Sequence, residues 1–356
     1  MTGSRSPQTT PRSPASAPGS SRTRPRSPRV LAAGLLTAAL LLTTGCGAEV
    51  EPVAGGPSGT VTVSNCGQDV TYTVPERAVA YDVSGAEKMF ALGLADRMRG
   101  YVMNKLGDPA IKGSPWREDY ASVERLGTER ITREIVVDAR ADWVLAGWNS
   151  GFSEERGITP ALLEDVGIAS YLHTETCWSY GDRGVDVAPL EALYTDLDNL
   201  GRIFGVEKRA AELVADLKDR IAALKKTWPA EGDPARVFVY DSGTDQPYTA
   251  GRHAAPNDII KAAGGTNIFG DLDKGWTTVG WEPVIRAKPE VIVIIDYADQ
   301  PAKDKIAHLK SLPSLRAVPA VKNDRFLVMS YGDAVSGPRN VTGAENLGRY
   351  LRSIGR

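Results

Sequence analysis

The sequence predicts an α/β fold in which two similar lobes are joined by one long helix. Strand and helix patterns alternate along most of the chain, an amphipathic helix of about 22 residues lies near the middle, and one motif occurs on each side of that helix. Alternating strands and helices are typical of parallel sheets that are covered by helices.

The first half of the chain begins with short strands. Residues 61–74 alternate apolar and polar side chains in the manner of two strands joined by a turn at 65–68, and Ala78-Val79-Ala80-Tyr81 is a short buried strand. Residues 87–94 have a helical pattern, and residues 98–101 form the next strand. From this point we expect strands and helices to alternate around a parallel sheet.

The middle of the chain is helical. Residues 190–204 place large apolar side chains three and four positions apart, and Gly205 ends that helix. A second helix covers residues 207–228, which at 1.5 Å per residue is roughly 33 Å long. That length suits a connection between two lobes, although a helix that packs on one core has the same pattern.

A short motif relates the two halves. Glu134 and Glu282 are each followed by Val at offset two, Ala at five, an acid at eight and an aliphatic residue at ten. Each copy predicts a short helix that leads into a buried strand, although chance similarity between helix–strand units is an alternative explanation. We place the lobes at residues 60–206 and 229–356, with the helix 207–228 between them.

The second lobe repeats the α/β pattern. Its predicted strands are residues 236–240, 291–297 and 325–330, and its predicted helices are residues 257–263 and 345–354.

Residues 1–45 have the properties of an export signal. The first 29 residues contain six arginines and no acid, and an uncharged apolar run of 15 residues follows. A helix that spans a bilayer needs about 20 residues, so we expect a cleaved signal. Residues 42–46 resemble a bacterial lipobox, which predicts a lipid on Cys46 at the outer face of the cell membrane; an ordinary signal with an incidental cysteine is the alternative. Residues 46–59 are predicted to be a flexible tether.

The composition of the mature part excludes some functions. After the signal it has 36 basic and 44 acidic residues, a net charge of −8, so nucleic acid is not an expected partner. The chain lacks the G-x-S-x-G, P-loop, H-E-x-x-H and G-x-G-x-x-G motifs, and we predict no enzyme, with a cell-surface enzyme as a distant alternative. Because an exported chain meets oxidising conditions, Cys66 and Cys177 are predicted to form a disulfide; two separate buried thiols are the alternative.

The motifs resemble those of ABC-transporter substrate-binding proteins for iron–siderophores, haem or cobalamin. In the first lobe the resemblance rests on residues 75–79, 92–94 and 134–146. In the second it rests on Gly251, Asn257 to Ile260, Ala263 to Asn267 and Trp276 to Ile285. Two departures are Ala141 and Gly280, where the family usually has Pro and Ser.

The resemblance implies two Rossmann-like lobes joined by a single long helix, with the ligand cleft between them. It also implies that Glu134 and Glu282 dock into arginine pockets on a permease, which works with an ATPase. Exposed carboxylates suit that role. Acids at helix starts are also favoured by the helix dipole, which is the alternative explanation. The binding protein itself is expected to be a monomer.

Loops that follow strands should line the cleft, because ligands bind at the carboxyl edges of parallel sheets. These loops are rich in aromatic residues, which suit large flat ligands, and two arginines could bind an anionic chelate. Core aromatics and surface charges are the alternatives for the individual residues. The predicted ligand-binding residues are Tyr81, Trp148, Trp178, Tyr248, Arg252, Trp276, Tyr331 and Arg339.

No resident metal or cofactor is predicted. The three histidines, His173, His253 and His308, are far apart and lack the spacing of metal ligands. A ferric siderophore supplies its own oxygen ligands, which favours a chelate as the ligand. The alternatives are cobalamin, haem and another cofactor-like organic molecule. Haem usually takes a Tyr or His ligand.

Overall fold

The computed structural model describes residues 59–181, 184–228, 232–297 and 299–356. The predicted signal segment, Cys46 and the tether up to residue 58 lie outside the described residues.

An antiparallel hairpin opens the described chain, with strands β1 (Thr60–Asn65) and β2 (Gln68–Thr73). Its turn places Cys66 and Gly67 in the left-handed region, with φ of 50° and 76°. The Asn65 amide donates to the Leu172 carbonyl and accepts from the Leu172 N–H, both at 2.9 Å. The hairpin thereby occupies backbone groups of the edge strand of the first sheet, which would otherwise be open to pairing.

The N-terminal lobe is built on a five-stranded parallel sheet in the order β5-β4-β3-β6-β7. The strands are β3 (Ala78–Tyr81), β4 (Met98–Val102), β5 (Arg125–Gly127), β6 (Trp143–Ala146) and β7 (Ala169–Leu172). The helices are α1 (Asp82–Ala91), α2 (Asp108–Lys112), α3 (Arg117–Ser122), α4 (Arg133–Asp138) and α5 (Pro160–Glu164). The first helix therefore starts at Asp82, five residues before the predicted start at 87.

Two antiparallel helices, α6 (Pro189–Phe204) and α7 (Glu207–Lys225), follow the first sheet. Gly205 separates them in the left-handed conformation, with φ of 70°, as is usual after a helix. The start of α7 contacts the first lobe, because Arg209 Nε donates to the Ala91 carbonyl at 3.0 Å. Its second half contacts the last helix of the chain, where Arg220 binds Glu345 at 2.8 and 2.9 Å. The helix predicted over 207–228 is α7, which ends three residues earlier, at Lys225, and contacts both lobes.

The C-terminal lobe contains a four-stranded parallel sheet in the order β10-β8-β12-β13 and a small antiparallel pair, β11-β9. The strands are β8 (Ala235–Tyr240), β9 (Tyr248–Ala250), β10 (Gly265–Asn267), β11 (Trp276–Thr278), β12 (Val291–Asp296) and β13 (Phe326–Ser330). The helices are α8 (Ala255–Ala262), α9 (Trp281–Ala287), α10 (Ala302–Ser311), α11 (Pro319–Lys322), α12 (Tyr331–Ala334) and α13 (Asn340–Ser353).

The hydrophobic core runs through both lobes. The largest cluster joins one face of the first sheet to α6, α7 and one face of the second sheet, through residues such as Leu145, Leu197, Leu217 and Val293. A second cluster lies on the other face of the first sheet, and a third lies on the other face of the second sheet. Each sheet is therefore covered on both faces, which explains why its strands are short apolar runs.

The motif that begins at Glu134 and Glu282 folds in the same way in both lobes. The first copy forms α4 and β6, and the second forms α9 and β12. Strand β6 pairs in parallel with β3, and β12 pairs in parallel with β8. Each motif strand therefore pairs with the first strand of its own parallel sheet.

The second acid of the motif has an equivalent role in both copies. Asp142 accepts a hydrogen bond from the Arg77 N–H at 3.0 Å, just before β3. Glu290 accepts one from the Arg236 N–H at 3.2 Å, within β8. Each of these arginines also donates from Nε to a carbonyl two residues before the acid. The shared contacts support a structural repeat and account for the sequence similarity.

A buried ion pair holds α1 against α6. Lys88 Nζ lies 2.6 Å from Asp196 Oδ2, and both side chains have 0% exposure. The other Asp196 oxygen accepts from the Tyr171 hydroxyl and the Thr174 N–H, each at 3.0 Å. Burial by itself would raise the pKa of Asp196, but the Lys88 ammonium and the hydrogen bonds hold it below its ordinary value. The carboxylate therefore stays ionised inside the protein.

Removing one partner of this pair should destabilise the fold strongly. Lys88→Met leaves the Asp196 carboxylate buried without its cation, and we expect the free energy of unfolding in urea to fall by about 3–5 kcal/mol. The matched control is Lys208→Met, which breaks the exposed pair with Glu212 and should cost less than about 1 kcal/mol. Adding Asp196→Leu to Lys88→Met should recover much of the loss. Equal losses in the Lys88 and Lys208 variants would contradict this role.

Candidate functional site

The ends of the strands in the two sheets meet where the two lobes contact each other. The Tyr331 hydroxyl, which follows β13, donates to Asp82 Oδ2 at 2.6 Å, immediately after β3. Asn104, shortly after β4, donates from Nδ2 to the Tyr297 hydroxyl at 3.0 Å, after β12. We call this contact region the cleft. It lies at the carboxyl edges of both sheets, where the sequence placed it.

A stacked pair of tyrosines lies in the cleft. The rings of Tyr297 and Tyr331 are 4.0 Å apart between centroids and inclined by 17°. Because Asp82 and Asn104 of the first lobe hold their hydroxyls, the position of the stack depends on both lobes. Stacked aromatic side chains are common where large planar or amphipathic molecules bind, so the pair marks this region as a candidate site.

Asp82 is held in an unusual conformation. Its φ is 64°, in the left-handed region that non-glycine residues seldom occupy. Burial raises the pKa of its carboxyl above the ordinary value, and the hydrogen bond from Tyr331 opposes that rise. Outliers of this kind concentrate at functional sites, so Asp82 is a candidate site residue.

The first lobe brings two arginines to the cleft. Arg130 lies between β5 and α4, is exposed, and has no carboxylate partner within the described residues. Its charge acts on Tyr81 of the first lobe and on Tyr248 and Tyr297 of the second: burial raises the pKa of each phenol, and Arg130 opposes the rise. Arg156 acts on Tyr81 in the same direction. The charge of Arg130 therefore reaches tyrosines of both lobes, and no carboxylate of the described residues pairs with it.

Three of the predicted tyrosines share this environment. Tyr81 ends β3 and is buried, whereas Tyr248 is 36% exposed. The loop that follows β6 packs closely on Tyr81, since a Cβ added to Gly151 would lie 2.8 Å from that ring. Tyr331 completes the set through the stack with Tyr297. The charge of Arg130 thus reaches Tyr81 and Tyr248, and the Tyr331 hydroxyl binds Asp82.

The predicted tryptophans occupy different surroundings. Trp276 stacks on Tyr248 with ring centroids 6.0 Å apart and planes inclined by 20°, so it extends the aromatic wall. Trp148 meets Tyr180 edge-on at 4.8 Å on the first lobe. Trp178 lies flat on His253, with centroids 4.4 Å apart and planes inclined by 4°, and so forms a contact between the lobes.

The charge of Arg252 is compensated within the protein. Its guanidinium pairs with Asp186 and with Asp273, the latter at 3.0 Å. His253 also contacts both carboxylates. A cation engaged by two carboxylates is a poor anchor for an anionic ligand, because binding would first have to break those pairs.

Arg339 is buried and paired with carboxylates, whereas the sequence predicts an arginine that binds an anionic ligand. It is 7% exposed and binds Asp333 at 2.7 Å, Glu87 at 3.3 Å and the Ala110 carbonyl at 3.2 Å. Burial raises the pKa of Glu87 to about 7, and Arg339 opposes that rise. Arg339 therefore joins the two lobes, and its charge is compensated inside the protein.

The two predicted docking acids are exposed and equivalent in position. Glu134 lies in the first turn of α4 and Glu282 in the first turn of α9. Hydrogen bonds from its own backbone N–H and from Thr132 lower the pKa of Glu134. Among the described residues, Glu282 pairs only with Arg286, at 3.2 Å, and 86% of its side chain is exposed. Both carboxylates are thus accessible to a partner.

The structure contains the predicted disulfide. Cys66 is bonded to Cys177, 111 residues later, with Cα atoms 5.0 Å apart. The bond ties the hairpin to a 3-10 segment, Thr174–Ser179, that follows β7. Within the described residues, no group of three or more His, Cys, Asp or Glu side chains is arranged to hold a metal ion.

Among the residues that the structure describes, no helix combines the length and the hydrophobicity needed to cross a bilayer.

The fold and the cleft define the class: a two-lobed α/β binding protein whose ligand site lies between the lobes. Residues 79–330 match the family described as periplasmic binding protein, and the chain belongs to this family. The resemblance drawn from the sequence motifs is thereby confirmed.

Known relatives point to transport. The chain is 25% identical over 287 residues to an uncharacterized ABC transporter substrate-binding lipoprotein, YvrC, of Bacillus subtilis (strain 168), covering 80% of this chain and 82% of the relative. It is 25% identical over 219 residues to the vitamin B12-binding protein of Yersinia pestis (strain Pestoides F), covering 62% and 69%. A crystal structure of an ABC-type Fe3+-hydroxamate transport system from Saccharomonospora viridis DSM 43017 superimposes with a TM-score of 0.69 at 27% identity, over 83% of this chain and 99% of that chain.

Removing the Tyr331 hydroxyl should weaken the contact between the lobes. In Tyr331→Phe the Asp82 carboxyl loses its hydrogen-bond donor, and we expect the free energy of unfolding to fall by about 1–3 kcal/mol. Tyr350→Phe is the matched control, because its partly buried ring lies near the end of α13, and it should cost less than about 0.5 kcal/mol. Urea denaturation measures both. A loss at Tyr331 no larger than at Tyr350 would contradict the assigned contact.

Proposed function

We propose that this chain is an extracytoplasmic solute-binding lipoprotein of an ABC importer, and that it captures a ferric siderophore. The observation that carries the proposal is the cleft, where Tyr331 of the second lobe meets Asp82 of the first and Tyr248 stacks on Trp276. The charge of the exposed Arg130 reaches tyrosines of both lobes there. The likeness to the Fe3+-hydroxamate transport system of Saccharomonospora viridis supports iron chelates as the ligand class.

The chemistry of the cleft suits the outer shell of a chelate. Siderophores enclose iron in their own oxygen ligands, so the protein meets an organic surface with polar oxygens. Tyr248 and Trp276 would provide a flat apolar wall for that surface. The Arg130 guanidinium would donate hydrogen bonds to the chelate oxygens, a task that suits its planar fork of N–H groups.

Cobalamin is the second candidate. The relative from Yersinia pestis is named for vitamin B12 binding. A corrin is large and amphipathic, so stacked aromatic side chains would also suit it. Direct titration with both kinds of ligand separates the two candidates.

The surrounding transport machinery is part of the same proposal. A lipid on Cys46 and the tether 46–59 would keep the binding protein close to its permease. Glu134 and Glu282 would dock into arginine pockets on that permease, one through each lobe. Their equivalent exposed positions in the first turns of α4 and α9 support this role.

Titration of the intrinsic fluorescence tests the ligand. Ferric desferrioxamine should quench the tryptophan fluorescence saturably, and Arg130→Gln should weaken binding about tenfold or more, as expected for a hydrogen bond to a charged group. Arg117→Gln, an exposed arginine on α3, is the control and should bind like the wild type. Binding of cobalamin without binding of any iron chelate would establish the second candidate. If neither binds, the proposed ligand class is wrong.

Charge reversal at the two docking acids should separate transport from binding. Glu134→Arg combined with Glu282→Arg should abolish uptake of the chelate by cells, because like charges then face the arginine pockets. The affinity of the purified variant for the chelate should stay unchanged. Glu118→Arg, an exposed acid on α3, is the control and should transport normally. Normal uptake by the double variant would contradict the docking role.

A further inference from the structure

The segment Thr174–Ser179 reaches from the first lobe to the second at two points. Glu175 Oε1 accepts a hydrogen bond from the Ala255 N–H at 3.2 Å. Three residues later, the Trp178 indole lies flat on the His253 imidazole. Ala255 is the first residue of α8, so both contacts converge on the start of that helix. We call this segment the clasp.

The clasp is fixed firmly within its own lobe. Its central residue, Cys177, is bonded to Cys66 in the turn of the hairpin. The Thr176 hydroxyl donates to the His173 carbonyl at 2.8 Å and accepts from the Trp148 N–H at 2.9 Å. The covalent bond and these hydrogen bonds therefore decide where Glu175 and Trp178 meet the second lobe.

On the second lobe, the clasp acts on an element that reaches the cleft. The first N–H groups of a helix have no partner within the helix, so Glu175 satisfies one that would otherwise be lost in the interior. Helix α8 packs against α12, and α12 begins with Tyr331 of the cleft stack. Movement of α8 would thus be passed to the tyrosine pair.

Charged and polar groups from three elements face Glu175. They are Lys88 from α1, Asp196 from α6 and Ser336 from the loop before α13, in addition to the N–H of Ala255. Burial raises the pKa of Glu175 to about 7, and Lys88 opposes that rise. Its second oxygen, Oε2, is buried and has no hydrogen-bond partner among the described residues, so part of the cost of burying the carboxyl is uncompensated there.

We propose that the clasp holds the two lobes in the arrangement that presents the cleft, and that Glu175 is its positioning residue. The disulfide sets the position of the clasp, and the Glu175 carboxyl ties it to α8. When the lobes separate, Glu175 meets water and its pKa returns towards the ordinary value of 4.5. Glu175 therefore binds a proton more tightly when the clasp contacts α8 than when the lobes are apart. A lower pH thus favours the state in which the clasp contacts α8.

Hydrogen exchange at the Ala255 amide tests the clasp without any ligand. In the wild type, the protection factor should fall by up to about tenfold per pH unit as the pH rises from 5 to 7. Glu175→Gln keeps the accepting oxygen and cannot ionise, so its protection should stay high and independent of pH. Glu175→Ala should lower the protection about tenfold at pH 5. Glu164→Gln, an exposed acid on α5, is the control and should behave like the wild type.

The disulfide is tested in the same experiment. The Cys66→Ser, Cys177→Ser double variant should lower the protection at Ala255 more than at Val293, in the core of β12, because only the clasp is released. A global loss of structure would lower both equally and overturn the positioning role of the disulfide. A pH-independent Ala255 protection in the wild type, or equal protection in the Gln and Ala variants, would overturn the role of Glu175.

The effect on ligand capture rests on the proposed function and is measured separately. Titration of Glu175→Ala with ferric desferrioxamine should give a weaker affinity, by about tenfold, than titration of Glu175→Gln. If the wild type binds no ferric desferrioxamine, the proposed ligand is wrong, and the exchange data still decide the clasp. If the wild type binds and the two variants bind equally, the clasp has no part in capture.

Discussion

The buried ion pair between Lys88 and Asp196 is the constraint on which the cleft depends. It fixes α1 of the first lobe against α6, and α1 carries Asp82 at its start and Glu87 beside the lysine. Asp82 holds Tyr331 of the second lobe, Glu87 holds Arg339, and Lys88 itself reaches Ser336 at 3.1 Å. A rotation of α1 would therefore break all of these contacts between the lobes together.

The buried ion pair between Glu87 and Arg339 joins the two lobes, and taking two charges out of water is costly. An apolar contact surface of the same shape between the lobes would usually be at least as stable, because no charged group would have to leave water. What charged and hydrogen-bonded groups provide is a defined geometry, since each is tolerated only with its partner in place. We infer that the contacts between the lobes favour one relative placement of the lobes at some cost in stability. A cleft built from both lobes requires such a fixed placement.

The sequence predicts where the cleft lies, whereas the partners of the predicted arginines are seen only in the structure. Tyr81 and Tyr331 can be proposed from the sequence because each lies at the end of a recognisable strand of a parallel sheet. Arg130 was missed because β5, which it follows, has only three residues and gives no strand pattern. Arg252 and Arg339 were selected as charges on cleft loops, yet carboxylates neutralise both, and Glu87 lies 252 residues from Arg339.

The sequence by itself determined the α/β class, the repeated helix–strand motif, the helix between the lobes and the family. These features depend on local periodicity and on short motifs, which can be read from the order of the residues alone. Only the tertiary structure decided which arginine is free, how Glu175 meets α8, and that Tyr297 stacks on Tyr331. Those facts depend on which distant groups neutralise or contact one another, and no pattern of neighbouring residues encodes such pairings.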